Sequence, residues 1–294
     1  MAGPKQMFMH IGLPKTGTTA WQTWADQHRA DLLSQGIDYP AASTITQSPN
    51  HSALSQGLRR GDLAGLQDVL QSASAETLLL SSEGFSMGLS EFPERSLAAF
   101  REITRGITIV CLLITRPAEP WVVSMYRQAK LNNVAPKVGF GTADRIERFR
   151  ATDRMKVLLD HARLAQMALA AFGATRCENI PYGDGAFDRF CAVVGIDAQN
   201  MAAPKRLNES VSAAVAELMR QLNGWTADET LRQGFLWLFS QTGPTSHNRL
   251  LAAMRPESTV LPGLAEGLAV LRPESADQHD LVHRLQVALA GASL

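Results

Sequence analysis

The run ITIVCLLIT, residues 107–115, constrains the fold more than any other stretch of the chain. It is uncharged, β-branched and apolar on both faces, which suits a strand in the middle of a parallel sheet that is covered on each side. Shorter apolar runs bounded by turn residues make 6–13, 77–82 and 174–181 further expected strands. Helical periodicity fills the intervals at 18–35, 93–105, 118–132 and 144–171. In the first of these Trp21, Trp24, Ala25, His28 and Leu32 share one stripe, and Gly36 suits a C-terminal cap. Such alternation predicts a three-layer α/β/α fold with a central parallel sheet and right-handed crossovers. After Asn208 the strand pattern stops, and 210–223, 228–241, 246–254 and 276–290 are expected helices. The expected organisation is a single domain over 1–294, with an α/β core at 1–207 and a helical part at 208–294 packed on it.

A chain of 294 residues with 45% hydrophobic residues can bury a substantial core. The 28 Lys and Arg balance the 28 Asp and Glu, so no global field draws the protein to nucleic acid or to an anionic membrane. An anion has to be captured locally. Cys111, Cys177 and Cys191 match neither a zinc site nor a disulfide framework and are expected as buried thiols in a reducing compartment. The opening MAGPKQMFMHIG has too short an apolar run for a signal peptide, and no segment approaches the ~20 apolar residues of a membrane span. A cytoplasmic location without a membrane span is expected. His28, His161, His247, His279 and His283 lie in helical stretches without ligand spacing, so no metal site is expected, and His10 is expected in the core.

The stretch MHIGLPKTGTTAWQ, residues 9–22, reads as strand, turn and helix. Backbone N–H groups at a helix start lack intrahelical acceptors, and the helix dipole adds positive potential there. Gly12 and Gly17 let the chain wrap closely around an anion. Thr16, Thr18 and Thr19 offer donors, and Lys15 a point charge. The separation of the glycines matches a triphosphate loop, but Lys15 precedes the second glycine and Thr18 occupies the usual lysine position.

GLPKTGTT resembles the 5′-phosphosulfate loop of the sulfotransferases that use 3′-phosphoadenosine 5′-phosphosulfate (PAPS), whose loop lysine also precedes the second glycine. A second match follows the strongest strand, in TRPAEPWVVSMYRQ. Arg116 at the strand end and Ser124 eight residues on resemble that family's 3′-phosphate motif, although the aspartate often found between arginine and proline is missing. Arginine suits a terminal phosphate because its planar fork donates two parallel hydrogen bonds. Arg127, one turn beyond Ser124, could add charge there or form a surface ion pair. The resemblance implies a P-loop-like sulfotransferase fold, PAPS as co-substrate and no metal, with Lys15, Thr16, Gly17, Thr18, Thr19, Arg116 and Ser124 as binding residues. It also implies a loop closing over the nucleotide, for which Lys205, Arg206, Asn208 and Ser210 are candidates, with a plain helix cap as the alternative.

Sulfuryl transfer to an alcohol or amine needs a base for the acceptor's proton. Glu83 in SSEGF follows an expected strand end and resembles the glutamate branch of the family, while a helix-start carboxylate is the plainer alternative. His51 in SPNHSAL is the competing base, with a capping or surface role as its alternative. The acceptor is expected to be a carbohydrate, lipid or small molecule. A P-loop phosphotransferase would account for the first motif without Arg116 and Ser124, and a non-catalytic nucleotide-binding protein is the remaining alternative.

Overall fold

The computed structural model describes residues 3–41, 49–135, 138–205 and 212–225 together with positions 232, 236 and 283. By contact density the chain divides into two compact units, Met1–Trp121 with Asp153–Glu209, and Val122–Thr152 with Ser210–Leu294. The expected division near 207 did not anticipate that 122–152 belongs with the C-terminal segment.

The first unit carries a five-stranded parallel sheet in the order β2-β3-β1-β4-β5. The strands are β1 (Gln6–His10), β2 (Ile37–Asp38), β3 (Thr77–Ser81), β4 (Thr108–Thr115) and β5 (Arg176–Pro181). Strand β4 is the expected one, buried from Ile109 to Thr115. It pairs Gln6 with Thr108 on one side and Val110 with Arg176 on the other. Two-residue β2 was not expected; it pairs only Ile37 and Asp38 with Thr77 and Leu78.

Between the strands run α1 (Thr18–Gln27), α2 (Arg29–Ser34), α3 (Ser52–Arg60), α4 (Ala64–Ser72), α5 (Gly84–Gly88) and α6 (Glu94–Ile103). After β4 come α7 (Ala118–Leu131), α8 (Ile146–Arg150), α9 (Asp153–Leu159) and α10 (His161–Phe172). Helix α11 (Ala186–Val194) follows β5, and α12 (Ala213–Trp225) lies in the second unit. The β1-to-β2 crossover runs opposite to the other three, so right-handed connections put α1 and α2 on one face and α3–α6 with α10 on the other. Phe8, Val110, Leu112 and Ile114 pack with Trp24, Leu32 and Phe190 on the first face. Phe85, Phe92 and Phe100 surround Phe172 of α10. This all-parallel sheet with helices is compatible with the expected three-layer α/β/α arrangement.

The expected helix 18–35 is two helices. His28 leaves helical geometry at φ −106°, ψ 26°, where its ring nitrogen Nδ1 lies 2.8 Å from Asp31 Oδ2. The expected 144–171 helix is three, and Asp160 starts the last by accepting from Arg163 N–H at 3.0 Å. In the second unit Tyr126 of α7 packs edge-on against Phe149 of α8. Expected helices 228–241, 246–254 and 276–290 lie almost wholly outside the described residues. Among the described residues no helix is long and apolar enough to cross a membrane.

Candidate anion-binding and catalytic site

Adjacent strands β1 and β4 send their connections to opposite sides, which is the topological switch point where open α/β sheets bind ligands. The loop Gly12–Gly17 leaves β1 there, and Arg116 leaves β4 beside it. Three consecutive loop carbonyls are engaged. Thr16 Oγ1 donates to Leu13 O at 2.6 Å, Trp121 Nε1 to Pro14 O at 2.7 Å, and Arg116 Nη1 to Lys15 O at 3.4 Å. In a trans peptide the following N–H points the opposite way. The N–H of Lys15 is therefore turned away from Trp121 Nε1, and that of Thr16 away from Arg116 Nη1.

Two residues of the loop are left-handed, Lys15 at φ 66° and Gly17 at φ 76°. Gly17 caps α1 without a side-chain bond, and no acidic residue occupies the first turn, so the helix start supplies no anion of its own. A Cβ on Gly12 would collide with His10 Nε2, and one on Gly17 would stand 3.0 Å from the Tyr182 ring. Lys15 is half-buried, and burial, then the Arg116 charge, lower its pKa. The Arg116 guanidinium lies 5.5 Å over the Tyr182 ring.

The three threonines divide the work. Thr16 is fully buried with its hydroxyl spent on Leu13, so its N–H is what it can offer a ligand. Thr19 is exposed. Buried Thr18 donates a hydrogen bond to Glu83 Oε1. The same oxygen accepts from Gln22 Nε2 at 3.1 Å. Glu83, half-buried, stands at the N-cap position of α5 without a side-chain capping bond.

His51 is 4% exposed and both its ring nitrogens are engaged. Nδ1 accepts from Ser81 N–H at 3.0 Å, and Nε2 lies 3.2 Å from Pro40 O. Burial pushes its pKa down to about 4. His51 takes the N-cap position of α3, where its backbone carbonyl accepts from Leu54 N–H but its ring makes no capping bond; it is not on the surface, and its ring ties β3 to the chain after β2. His10 is in the core as expected, its Nδ1 2.6 Å from Ser81 Oγ and its pKa pushed down to about 4 by burial against the raising pull of Glu83. Cys111 and Cys191 are buried, and Cys177 is only half-buried because β5 is an edge strand.

Ser124 and Arg127 lie on α7 in the second unit. Ser124 is buried, and its Oγ has no hydrogen-bond partner among the described residues. Arg206, Asn208 and Ser210 lie outside the described residues. Gln22, Ser81, Trp121 and Tyr182 were not anticipated as site residues. Tyr182 could have been found, since it follows Pro181 at the same sheet edge as Arg116. The pairing of Gln22 with Glu83 depends on α1 packing over β3 and leaves no local signal. Among the described residues no three His, Cys, Asp or Glu side chains come together as a metal site. Comparisons with protein-family models, with curated proteins and with solved structures yield no match to the chain.

Proposed function

We propose that the protein is a sulfotransferase that moves the sulfuryl group of PAPS to a hydroxyl or amine of a carbohydrate, lipid or small-molecule acceptor. The observation that carries this reading is the convergence at one switch point of Lys15 and Arg116 with a carboxylate, Glu83, hydrogen-bonded to the loop threonine Thr18. Lys15 and the N–H groups of the loop and helix start would bind the 5′-phosphosulfate, and Arg116 the 3′-phosphate. As the acceptor oxygen or nitrogen bonds to sulfur, Glu83 takes its proton and the bond from sulfur to the bridging oxygen breaks. The leaving phosphate keeps that electron pair, and Lys15 with the N–H groups stabilises its charge. The roles expected for Ser124, Arg127 and Arg206 rest on the resemblance alone, as does the sulfotransferase variety of the fold.

Calorimetry tests the reading directly. 3′-phosphoadenosine 5′-phosphate (PAP) should bind much more tightly than AMP, and equal affinities would sink it. Glu83→Gln should keep PAP binding and lower turnover by ~10²–10⁴, the usual worth of a general base. His51→Ala having that effect instead would move the base to His51.

The Thr18–Glu83 hydrogen bond favours a second reading, a phosphotransferase in which a loop hydroxyl and a strand-end carboxylate share Mg²⁺. EDTA separates the two: it would abolish phosphotransfer and leave sulfuryl transfer intact.

A further inference from the structure

The Glu83 carboxylate is held from behind by a buried polar chain. Gln22 of α1 is 2% exposed, and its Nε2 reaches Glu83 Oε1 and Ser81 Oγ, each at 3.1 Å. Two hydrogens on one nitrogen serve two acceptors. The amide oxygen in that place would face a carboxylate oxygen, so the nitrogen belongs there. Ser81 Oγ is 2.6 Å from His10 Nδ1, and His10 and Ser81 are register partners on adjacent strands β1 and β3. His10–Ser81–Gln22–Glu83 is thus a continuous chain anchored on two central strands and one helix.

Thr18, the other donor to Glu83 Oε1, has a single O–H. If that proton turns to an oxygen of a bound phosphosulfate, it leaves the carboxylate, and Gln22 becomes the bond that still holds Glu83. Resting on the base role proposed above, we propose that Gln22 is the positioning residue of Glu83, with Ser81 and His10 as its buttress. Glu83 stands at the start of a five-residue helix without a capping bond to it, and a base displaced by ~1 Å can cost ~10²-fold in rate.

The acceptor-independent probe is hydrolysis of PAPS, in which a water oxygen bonds to sulfur, its proton passes to Glu83, and PAP and sulfate are released. Gln22→Met should lower kcat by about 10- to 100-fold, with KM for PAPS and the calorimetric affinity for PAP unchanged. In a Glu83→Gln background the same substitution should cost nothing more. Ser81→Ala, which removes only the buttress, should show a smaller loss with the same dependence, and it serves where Gln22→Met does not fold. Equal proportional losses in both backgrounds, or a parallel loss of PAP affinity, would overturn the proposal. A wild type that binds PAP selectively and hydrolyses PAPS, beside a Gln22→Met variant of undiminished turnover, overturns this inference alone. A wild type with no preference for PAP over AMP overturns the sulfotransferase reading and this inference with it.

Discussion

Lys15 combines two costs that an ordinary surface lysine avoids. Its φ of 66° is left-handed, which costs a non-glycine residue roughly 1–2 kcal/mol. Its charge is half-buried beside Arg116, and both effects lower its pKa from 10.5. Trp121 and Arg116 hold the loop carbonyls and so maintain the strained turn. If the conformation is the strained element, Lys15→Gly should be more stable than Lys15→Ala by about 1 kcal/mol in urea unfolding. Equal midpoints would show that the left-handed turn costs nothing. The charge makes a separate prediction. A lysine with a lowered pKa loses its proton earlier as pH rises, so PAP affinity should fall through the alkaline range, below the ordinary lysine titration. Arginine keeps its charge there, so Lys15→Arg, where it binds PAP, should abolish that fall; an unchanged pH dependence would assign the titration to another group.

At the scale of elements, two buried histidines join the sheet to its connections. His10 on β1 contacts Ser81 of β3, and His51 at the start of α3 bonds Ser81 N–H and lies against Pro40 O. Both have pKa values pushed from 6.5 to about 4, mainly by burial. Both therefore stay neutral in the folded protein while the unfolded chain takes up protons below pH 6.5. Stability is full above that pH and falls as pH drops toward 4, by on the order of 3 kcal/mol per histidine. His51→Gln, whose amide can accept from Ser81 and donate to Pro40, should make the acid loss in urea midpoint shallower. An unaltered slope would assign the loss to other groups. Four of the five strands were legible, because β4 is apolar on both faces and the others are short runs between turns, whereas two-residue β2 is too short to leave a pattern. The sequence concealed the break at His28, since the apolar stripe from Trp21 to Leu32 is continuous through it. The helix start at Asp160 is hidden in the same way, because helical periodicity runs through it across 144–171. The loop and Arg116 could be recognised because their chemistry is local. Gln22 and Ser81 could not, and neither could the tie of His51 to Ser81, because each takes its role from a partner 30 or more residues away.

At the scale of the whole molecule, the second unit is built from two separated stretches, so the chain cannot be divided by one cut. Lys130 of α7 is fully buried, donates to Thr142 O at 3.0 Å, and has its pKa pushed down to about 8 by burial. The end of α7 is capped from the C-terminal stretch: Asn223 Nδ2 donates to Lys130 O at 3.0 Å, and Arg232 Nη2 to Asn132 O at 2.8 Å. Arg220 adds a bond to Ala143 O at 3.2 Å. Leu218, Met219 and Leu222 of α12 are buried as well. Removing residues 210–294 strips 122–152 of these donors, leaving carbonyls that each net about 1 kcal/mol from their bonds. It also removes the apolar side chains packed with them. A fragment ending at Glu209 should therefore bind a hydrophobic dye, lose helical signal beyond that of the deleted residues, and melt less cooperatively than the full chain. If it melts as sharply and at the same temperature as the full chain, the 122–152 segment is self-sufficient and the two-stretch unit is not a folding unit.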